Sequence, residues 1–321
     1  ERNVLSHATL LSEITVRSLN NNATLARLPL RGIYASVTRA DLANVFAERV
    51  AYADRFQRHD TIIVEADQSD GCVNIIGEDA SLRQVGGLIA ADGVSGFGRS
   101  HVTSQSEADI RASLATDKLA LRLMLSSSDL PTFFSQPASN LWLGNGIHVV
   151  HYPVGNQVNF VVTMPKALAQ TQWQTQCFNR KSPVHMLADP ALNWVATPLH
   201  RSGNSICWRR DNVVLAGEAA HVMPPHLAQG AGQSLQDAAC LMQSLAQNVH
   251  ISDAFAAYAR HRSGVVAKIA QKAEISGKIM AFSGIAGKLR NVALDLGGKQ
   301  LLQEWLAEVW AADPGLSSEG S

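Results

Sequence analysis

Residues 212–239 of this chain read NVVLAGEAAHVMPPHLAQGAGQSLQDAA, and this stretch decides the fold. It opens with a short apolar run, 212–216, which predicts a buried strand. Gly217 then begins a loop that contains a Pro-Pro pair, whose rings fix φ and stiffen the backbone. Apolar residues at helical spacing follow, so the stretch predicts a strand, a rigid loop and a helix that starts near Gly230.

The loop and the start of the helix have the properties of a site for a flat, anionic ligand. The glycines at 217, 230 and 232 let a ligand approach the backbone closely. The first turn of a helix presents N–H groups without intrahelical partners, together with a partial positive charge. A planar cofactor that becomes anionic on reduction would be stabilised there. An ordinary strand–loop–helix connection would rarely contain all of these features at this spacing.

Outward from this stretch, the pattern predicts an α/β fold with two kinds of sheet. Residues 85–91, VGGLIAA, are a second apolar run and predict a buried parallel strand that ends at Asp92 and Gly93. In open α/β sheets the carboxyl end of such a strand is where ligands bind. Residues 147–154 and 157–165, separated by Gly-Asn, predict a β-hairpin in a mostly antiparallel sheet that spans about residues 101–200.

The flanking segments predict further strands and helices. Residues 1–30 alternate polar and apolar positions, as short strands do, whereas 38–50 have helical spacing with Thr38 as N-cap and Asp41 at the capping-box distance. Four more segments complete the prediction: a hairpin from 61–66 and 72–76, a long helix over 252–282, an amphipathic helix over 298–312, and a disordered tail over 313–321.

Composition excludes several classes of protein. The 321 residues are 46% hydrophobic and 17% charged, which indicates a packed core, and 27 basic residues balance 27 acidic ones. With a net charge of zero, the chain lacks the excess of basic residues that is typical of nucleic-acid-binding proteins. The four cysteines form no CxxC pair, so we expect neither a metal site nor a disulfide framework. Without a membrane-spanning apolar stretch or a signal peptide, we expect a cytoplasmic protein.

Three motifs resemble those of the class A FAD-dependent aromatic hydroxylases. WRRDNVVLAGEAAHVMPPHLAQGAGQSLQDAA at 208–239 resembles the family's GDAAH…P…GQG…DA motif. LIAADGVSGFGR at 88–99 resembles its ADGxxSxVR motif, and TRADL at 38–42 resembles its Arg-x-x-Leu helix start. The motifs occur in the family's order, and the resemblance covers about residues 30–290.

The resemblance implies an architecture like that of p-hydroxybenzoate hydroxylase. That fold has a mixed-sheet FAD-binding domain, an antiparallel β substrate domain and C-terminal helices. The implied domains are the remainder of the FAD-binding domain (1–100), the substrate-binding sheet (101–200), the return segment and long helix of the FAD-binding domain (201–290), and a C-terminal helix with its tail (291–321).

The resemblance also implies the residues that hold FAD. Glu218 stands where the family has Asp, and its carboxylate would accept hydrogen bonds from the ribityl hydroxyls. Gly96 and Gly98 depart from the family's Ser and Val. The implied cofactor-binding residues are Arg39, Asp92, Gly93, Gly217, Glu218, Pro224, Gly230, Ala231 and Gly232.

The family's opening βαβ unit with GxGxxG, which binds the ADP half of FAD, has no counterpart in the sequence. A unit of about 30 residues is therefore expected to be missing. The chain is either a fragment or a protein that has lost tight FAD binding, and we favour the fragment.

The activity that the resemblance implies is NAD(P)H- and O2-dependent hydroxylation of an aromatic acid. Reduced FAD would form a C4a-hydroperoxyflavin, and the substrate would be a phenolic or hydroxypyridine-type acid. HVVHYPV at 148–154 resembles the H-x-x-x-Y-P strand of salicylate hydroxylase and 6-hydroxynicotinate 3-monooxygenase. By that match His148 and Tyr152 face the substrate, while His226 and Gln229 lie between substrate and flavin.

Several alternatives stay open. The substrate could instead be that of a ubiquinone-pathway or hydroxyphenylpropionate-type hydroxylase, or the chain could be a non-catalytic relative that binds an aromatic ligand. His148 and His151 could be half-exposed strand histidines, and His221 is expected to anchor the loop structurally. Arg209 and Arg210 could be surface charges or contacts to NAD(P)H. A homodimer is possible, whereas nucleic acid and integral membrane partners are not expected.

Overall fold

The computed structural model describes residues 2–51, 56–144, 146–178, 180, 182–201 and 207–310. The chain divides into two compact units. We call the first the sheet unit; it comprises residues 1–58, 117–199 and 278–308. We call the second the mixed unit; it comprises residues 59–116, 200–277 and 309–321. The predicted disordered tail, 313–321, lies outside the described residues.

The strands and helices follow one another along the chain with these bounds. The strands are Thr9–Leu10 (β1), Glu13–Ser18 (β2), Thr24–Pro29 (β3), Ala35–Ser36 (β4), Ile63–Ser69 (β5), Cys72–Gly77 (β6), Leu82–Val85 (β7), Leu88–Ala90 (β8), Ala115–Ser126 (β9), Ala138–Gly144 (β10), Ile147–Val154 (β11), Gln157–Pro165 (β12), Val195–His200 (β13), Arg209–Arg210 (β14) and Val213–Leu215 (β15). The helices are Arg2–Leu5 (α1), Arg39–Ala51 (α2), Phe97–Thr103 (α3), Glu107–Leu114 (α4), Lys166–Ala169 (α5), Trp173–Cys177 (α6), Gly230–Gln247 (α7), Ile251–Met280 (α8) and Gly284–Trp310 (α9).

The sheet unit is built on a seven-stranded sheet with the order β13-β9-β12-β11-β10-β2-β3. The predicted hairpin of β11 and β12 is confirmed, and both strands pair antiparallel with their neighbours. One face of the sheet carries an aromatic and aliphatic core that includes Phe134, Trp142 and Phe160. From β9 to β10 the neighbouring strands are antiparallel, and successive side chains alternate between the two faces of the sheet.

The division into units differs from the predicted domain boundaries at the N-terminus. β2 pairs in parallel with β10, and β3 pairs with β2, so residues predicted as part of the FAD-binding domain belong to the seven-stranded sheet. Strand alternation shows that a segment is a strand, but it does not show which distant strand is its partner.

The mixed unit contains two three-stranded sheets, β14-β15-β8 and β5-β6-β7. The predicted hairpin of β5 and β6 is confirmed, with its turn at Asp70 and Gly71, both of which have positive φ. The predicted parallel strand is also confirmed, since β8 pairs in parallel with β15. The prediction that this strand is buried was wrong, because β8 lies at the edge of its sheet and Ile89 is 45% exposed.

Several predicted helices lie where the sequence places them, but the face that each helix buries was harder to predict. Thr38 caps α2, because its hydroxyl accepts a hydrogen bond from Asp41 N at 3.0 Å. α7 starts at Gly230 as predicted, yet the apolar residues that indicated it, such as Met242, are exposed. α9 begins at Gly284, well before the predicted residue 298. No helix in the described part of the chain is both long and apolar enough to cross a membrane.

Candidate active site

Two of the motifs meet at the carboxyl ends of β8 and β15, the parallel pair of one small sheet. Ala90, at the end of β8, lies opposite Leu215, at the end of β15, and Ala216 N donates a hydrogen bond to Ala90 O at 2.9 Å. The segments that begin at Asp92 and Gly217 therefore leave the sheet side by side. This is the edge at which open α/β sheets bind ligands.

Asp92 organises the turn after β8. Its carboxylate accepts a hydrogen bond from Gly98 N, at the start of α3, at 2.8 Å. A Cβ on Gly96 would lie 2.1 Å from Asp92 Cγ, and a Cβ on Gly98 would lie 2.1 Å from Ala90 Cβ. The two glycines that depart from the family pattern are therefore the residues that this close packing requires.

Arg99 connects this turn to the one after β15. It is 3% exposed, and its guanidinium donates a hydrogen bond to Ala219 O at 3.2 Å. Burial lowers the pKa of the Arg99 guanidinium below its ordinary value. Gly217 has φ +59°, a left-handed backbone conformation that favours glycine, and the Glu218 side chain that follows is exposed.

A buried charged cluster lies behind the Gly217 turn. Asp237 on α7 is 0% exposed and accepts hydrogen bonds from Gly217 N at 3.0 Å, His221 Nε2 at 2.6 Å and Arg262 Nε at 2.8 Å. Burial acts to raise the pKa of Asp237, but these hydrogen bonds and charges hold it below its ordinary value. His221 is thus the structural anchor that the sequence predicted.

The cluster extends to the start of α7 through two glutamines. Arg262 donates to Gln233 Oε1 at 2.7 Å, and Gln233 Nε2 donates to Gln229 Oε1 at 3.1 Å. Gln229 occupies the N-cap position of α7. Its side chain is therefore held by this hydrogen-bond chain, and its position between substrate and flavin stays a prediction.

His226 lies in the short 3-10 turn Pro225–Leu227 and packs against α8. A Cβ on Gly277 would lie 2.3 Å from both Cδ2 and Nε2 of the His226 ring. The ring therefore occupies the space that any side chain at position 277 would need. Pro224, directly before this turn, is buried, so the loop is fixed at both residues.

The start of α7 is open. The Gln229 side chain accepts no capping hydrogen bond from a backbone N–H of the first turn, and Ala231 and Gly232 are exposed. A Cβ on Gly230, Gly232 or Gly93 would meet nothing within 4 Å. The predicted glycines thus border free space beside backbone N–H groups that point out of an 18-residue helix.

The predicted substrate residues lie on the second face of the seven-stranded sheet. His148 pairs with Thr163, and Tyr152 pairs with Asn159, so both side chains share a face opposite to the aromatic core. His148 is 4% exposed and Tyr152 is half-buried, which corrects the alternative of half-exposed strand histidines.

Arg122 on β9 was missed by the sequence analysis and belongs to the same face. Val161 of β12 pairs with Val150 of β11 on one side and with Arg122 on the other. Burial raises the pKa of the Tyr152 phenol, while the Arg122 charge and a hydrogen bond from Asn159 oppose that rise. Alternation in ALRLML predicts that Arg122 points away from the core, but only the strand register shows that it shares a face with Tyr152, with β12 between them.

His151, by contrast, points into the aromatic core. It is 0% exposed, and its Nδ1 accepts a hydrogen bond from Trp142 Nε1 at 3.0 Å. Arg39, predicted to contact FAD, is the first residue of α2 and is exposed in the sheet unit. The site residues therefore fall into two groups: Arg39, His148 and Tyr152 in the sheet unit, and the others in the mixed unit.

Comparison with known proteins decides the family. A profile described as an FAD binding domain matches residues 87–273, which is more than half of the chain. The chain belongs to this FAD-binding family, that of the class A FAD-dependent aromatic hydroxylases. The motifs at 88–99 and 208–239 lie within the matched residues, whereas the motif at 38–42 lies outside them and stays a prediction.

Relatives of the FAD-binding family show which enzymes the chain is similar to. It is 27% identical to 3-hydroxybenzoate 6-hydroxylase of Klebsiella oxytoca over 81% of this chain and 68% of the relative. It is 26% identical to 6-hydroxynicotinate 3-monooxygenase of Bordetella bronchiseptica over 72% of this chain and 64% of the relative. The chain therefore spans about two thirds of the length of these relatives.

A solved substrate complex of salicylate hydroxylase shares the fold. It superposes with a TM-score of 0.77 over 97% of this chain and 84% of that chain, at 21% identity. The predicted α/β fold of a flavoprotein hydroxylase with C-terminal helices is therefore confirmed. The cofactor of the FAD-binding family fits the residues present, because free space borders Gly230 and Gly232 next to the backbone N–H groups at the start of α7, and free space also borders Gly93.

Proposed function

We propose that this chain is the catalytic part of an FAD-dependent monooxygenase that hydroxylates a phenolic or hydroxypyridine-type aromatic acid with NAD(P)H and O2. The observation that carries the proposal is the meeting of the Asp92 and Gly217 turns at the carboxyl edge of β8 and β15. Bound FAD would take electrons from NAD(P)H and use O2 to supply the oxygen atom that is added to the ring.

The mixed unit would hold the flavin through its backbone and one carboxylate. The first-turn N–H groups at Gly230, Ala231 and Gly232 would face the ring system, where a helix N-terminus stabilises negative charge. The exposed Glu218 carboxylate would accept hydrogen bonds from ribityl hydroxyls, and Gly93 would let the backbone approach the cofactor.

The sheet unit would hold the substrate on the face that carries His148, Tyr152 and Arg122. Arg122 would pair with the substrate carboxylate, since a guanidinium binds a carboxylate with two parallel hydrogen bonds. Tyr152 would hydrogen-bond to the ring substituent. His148 would accept the proton of the ring hydroxyl at an imidazole nitrogen, which raises the electron density of the ring.

Relatives and Arg122 support the proposed substrate class. The relatives named above act, by their names, on 3-hydroxybenzoate and 6-hydroxynicotinate, each of which carries a carboxylate and a ring hydroxyl. Arg122 is the exposed cation on the proposed substrate face that such a carboxylate would need. A neutral phenol would lack this contact.

Two measurements test the proposal in sequence. Purified chain should show the visible absorbance of bound flavin, and an aromatic acid should stimulate NAD(P)H oxidation with formation of a product that is one oxygen heavier. A chain that binds no added FAD would contradict the proposal. Flavin binding without any hydroxylated product would instead favour the non-catalytic relative.

Arg122→Met tests the assignment of substrate class. Loss of a charged hydrogen-bonded pair of ~2–3 kcal/mol predicts a KM for the acid that rises by about 30- to 150-fold. The KM for the corresponding neutral phenol should stay within about threefold. Arg27→Met is the matched control, because Arg27 is exposed on β3 and faces the opposite side of the sheet. Equal effects of the two substitutions would refute the assignment.

A further inference from the structure

The side-chain amide of Gln229 is oriented by a charge that lies deeper in the mixed unit. Arg262 on α8 is 1% exposed, and its Nη2 donates a hydrogen bond to Gln233 Oε1 at 2.7 Å. Gln233 is 0% exposed, and its Nε2 donates to Gln229 Oε1 at 3.1 Å. Gln233 lies in the first turn of α7 and Gln229 directly before it, so the chain of hydrogen bonds runs from the interior to the loop.

The direction of these hydrogen bonds is fixed at their buried end. A guanidinium has five N–H donors and no acceptor, so the group that faces Arg262 must be an oxygen. Gln233 therefore turns its Oε1 towards Arg262 and its Nε2 towards the loop. The Gln233 N–H in turn needs an acceptor, which is the oxygen of Gln229. Rotation of either amide by half a turn would bring two donors face to face.

Arg262 is itself held in one orientation. Its Nε donates to Asp237 Oδ1 at 2.8 Å, and its Nη1 donates to Gln236 Oε1 at 3.2 Å. Its Nη2 also donates to the backbone oxygen of Gln233 at 3.3 Å. Turning the guanidinium would leave a buried charge without these partners, which is costly away from water. The orientation is therefore a fixed property of the buried cluster.

Gln229 consequently presents N–H groups, and not its oxygen, to the space beside the loop. The side chain is half-buried, and Nε2 lies 3.4 Å from Leu227 O, which is longer than an ordinary hydrogen bond. An amide nitrogen has two N–H donors, and no second hydrogen bond from Nε2 occurs within the described part of the chain. At least one donor is therefore available to a ligand that binds at this loop.

From this geometry we propose that Arg262 and Gln233 are positioning residues, which hold the Gln229 amide as a donor to an oxygen of the bound ligand. The proposal rests on the proposed function, because that function puts a ligand at this loop. The oxygen would carry negative charge, since hydrogen bonds to a charged acceptor are the stronger ones and the hydrogen bond from Arg262 polarises both amides. It would belong either to the ring system of FAD or to the aromatic acid.

The first experiment needs no ligand and measures the polarity of the pair by denaturant titration of the full chain. Gln229→Glu keeps an acceptor opposite the Gln233 N–H and should leave the folding equilibrium constant within about threefold of wild type. Gln229→Glu combined with Gln233→Glu brings two carboxylates together. The double variant should have a folding equilibrium constant about tenfold lower than the two single variants predict. A double variant that is no less stable than this sum would overturn the proposal.

The second experiment compares Gln233→Glu with Gln236→Glu. Both place a carboxylate against the Arg262 guanidinium, but only the first also faces Gln229. In Gln233→Glu the Gln229 amide must rotate to donate to the new carboxylate, so its oxygen then faces the ligand. Binding of added FAD, or the KM for 3-hydroxybenzoate, should weaken by about 30-fold or more. Gln236→Glu is the matched control and should stay within about threefold of wild type.

The quantity that changes identifies the source of the oxygen. A higher Kd for FAD assigns it to the flavin, whereas a higher KM at an unchanged Kd for FAD assigns it to the acid. In a Gln229→Leu chain, Gln233→Glu should have no further effect on either quantity, because its action requires the amide at position 229. Equal effects of the two Gln→Glu substitutions, no effect of Gln233→Glu, or an undiminished effect in the Gln229→Leu chain would each overturn the proposal.

Failure of the proposed function is distinguishable from failure of this proposal. A wild-type chain that binds neither FAD nor the acid would refute the proposed function and leave the Gln229 amide without a ligand. The denaturant titration would still decide whether Arg262 and Gln233 fix the orientation of that amide.

Discussion

Each unit buries a histidine, and the two histidines are treated in opposite ways. His221 in the mixed unit bonds to Asp237 at 2.6 Å, within a cluster that also contains Arg262. His151 in the sheet unit accepts a hydrogen bond from Trp142 and is surrounded by Phe133, Phe134 and Phe160. Burial, with the Arg17 charge, lowers the pKa of His151 to about 3, so this ring is neutral near neutral pH.

The contrast shows that burial alone does not determine how a polar side chain behaves. In the mixed unit, charge is buried together with opposite charge, and the cluster fixes the turn from which Glu218 projects. In the sheet unit, the His151 ring is buried among aromatic rings and is kept neutral. Removing a partner should therefore be costly in the first unit, and changing pH should matter in the second.

The largest effect is expected from breaking the charged cluster. Asp237→Asn leaves Arg262 buried without its carboxylate and should lower the free energy of unfolding by ~3–5 kcal/mol. Denaturant titration measures the loss. Glu107→Gln is the control, because its pair with Arg111 is exposed and should contribute less than ~0.5 kcal/mol. Similar losses in both variants would mean that the cluster is not what stabilises the mixed unit.

The second effect concerns the loop that the cluster supports. Gly277→Ala forces the His226 ring out of its place on α8 and should cost ~1–3 kcal/mol of stability, together with weaker flavin binding. Gly264→Ala is a matched control on the same helix, where a Cβ meets nothing within 4 Å and the better helix former should stabilise by ~0.5–1 kcal/mol. Thermal unfolding and flavin titration measure both. A Gly277→Ala variant that gains stability like its control would contradict the packing.

The third effect is the pH dependence that His151 contributes. The unfolded ring has a pKa near 6.5 and binds a proton that the folded ring, with a pKa of about 3, does not accept. Stability therefore falls as pH drops from about 6.5 towards 3, by up to ~1.4 kcal/mol per pH unit from this group. His151→Phe should remove that part of the slope, although it leaves Trp142 Nε1 without its acceptor at every pH. Identical slopes in the two proteins would disprove the neutral, buried ring.

Local patterns predicted much of this molecule. The hairpin of β11 and β12, the capped start of α2, the parallel strand β8 and the start of α7 all follow from nearest-neighbour chemistry. The flavin-binding motifs could also be recognised from the sequence, because each combines several residue types at fixed spacing. These features depend on few distant contacts, so the sequence contains them directly.

The remaining features depend on contacts between distant segments. Arg122 joins the proposed substrate face only through the register of β9 with β12, and β2 joins the large sheet only through its pairing with β10. α7 hides Gln233 and Asp237 and exposes Met242, because Arg262 on α8 supplies the opposite charge. An apolar stripe therefore predicted the helix but not the side that faces inward.

The absence of a side chain at Gly277 restricts which residues this family can have at the two positions that meet here. The His226 ring fills the space that a side chain at position 277 would occupy. Neither residue can therefore change alone without loss of this packing. A relative with a larger residue at the position of Gly277 must have given up the imidazole or rebuilt its loop. The two positions should therefore be inherited as a pair, and their joint variation among relatives would divide the family by loop geometry.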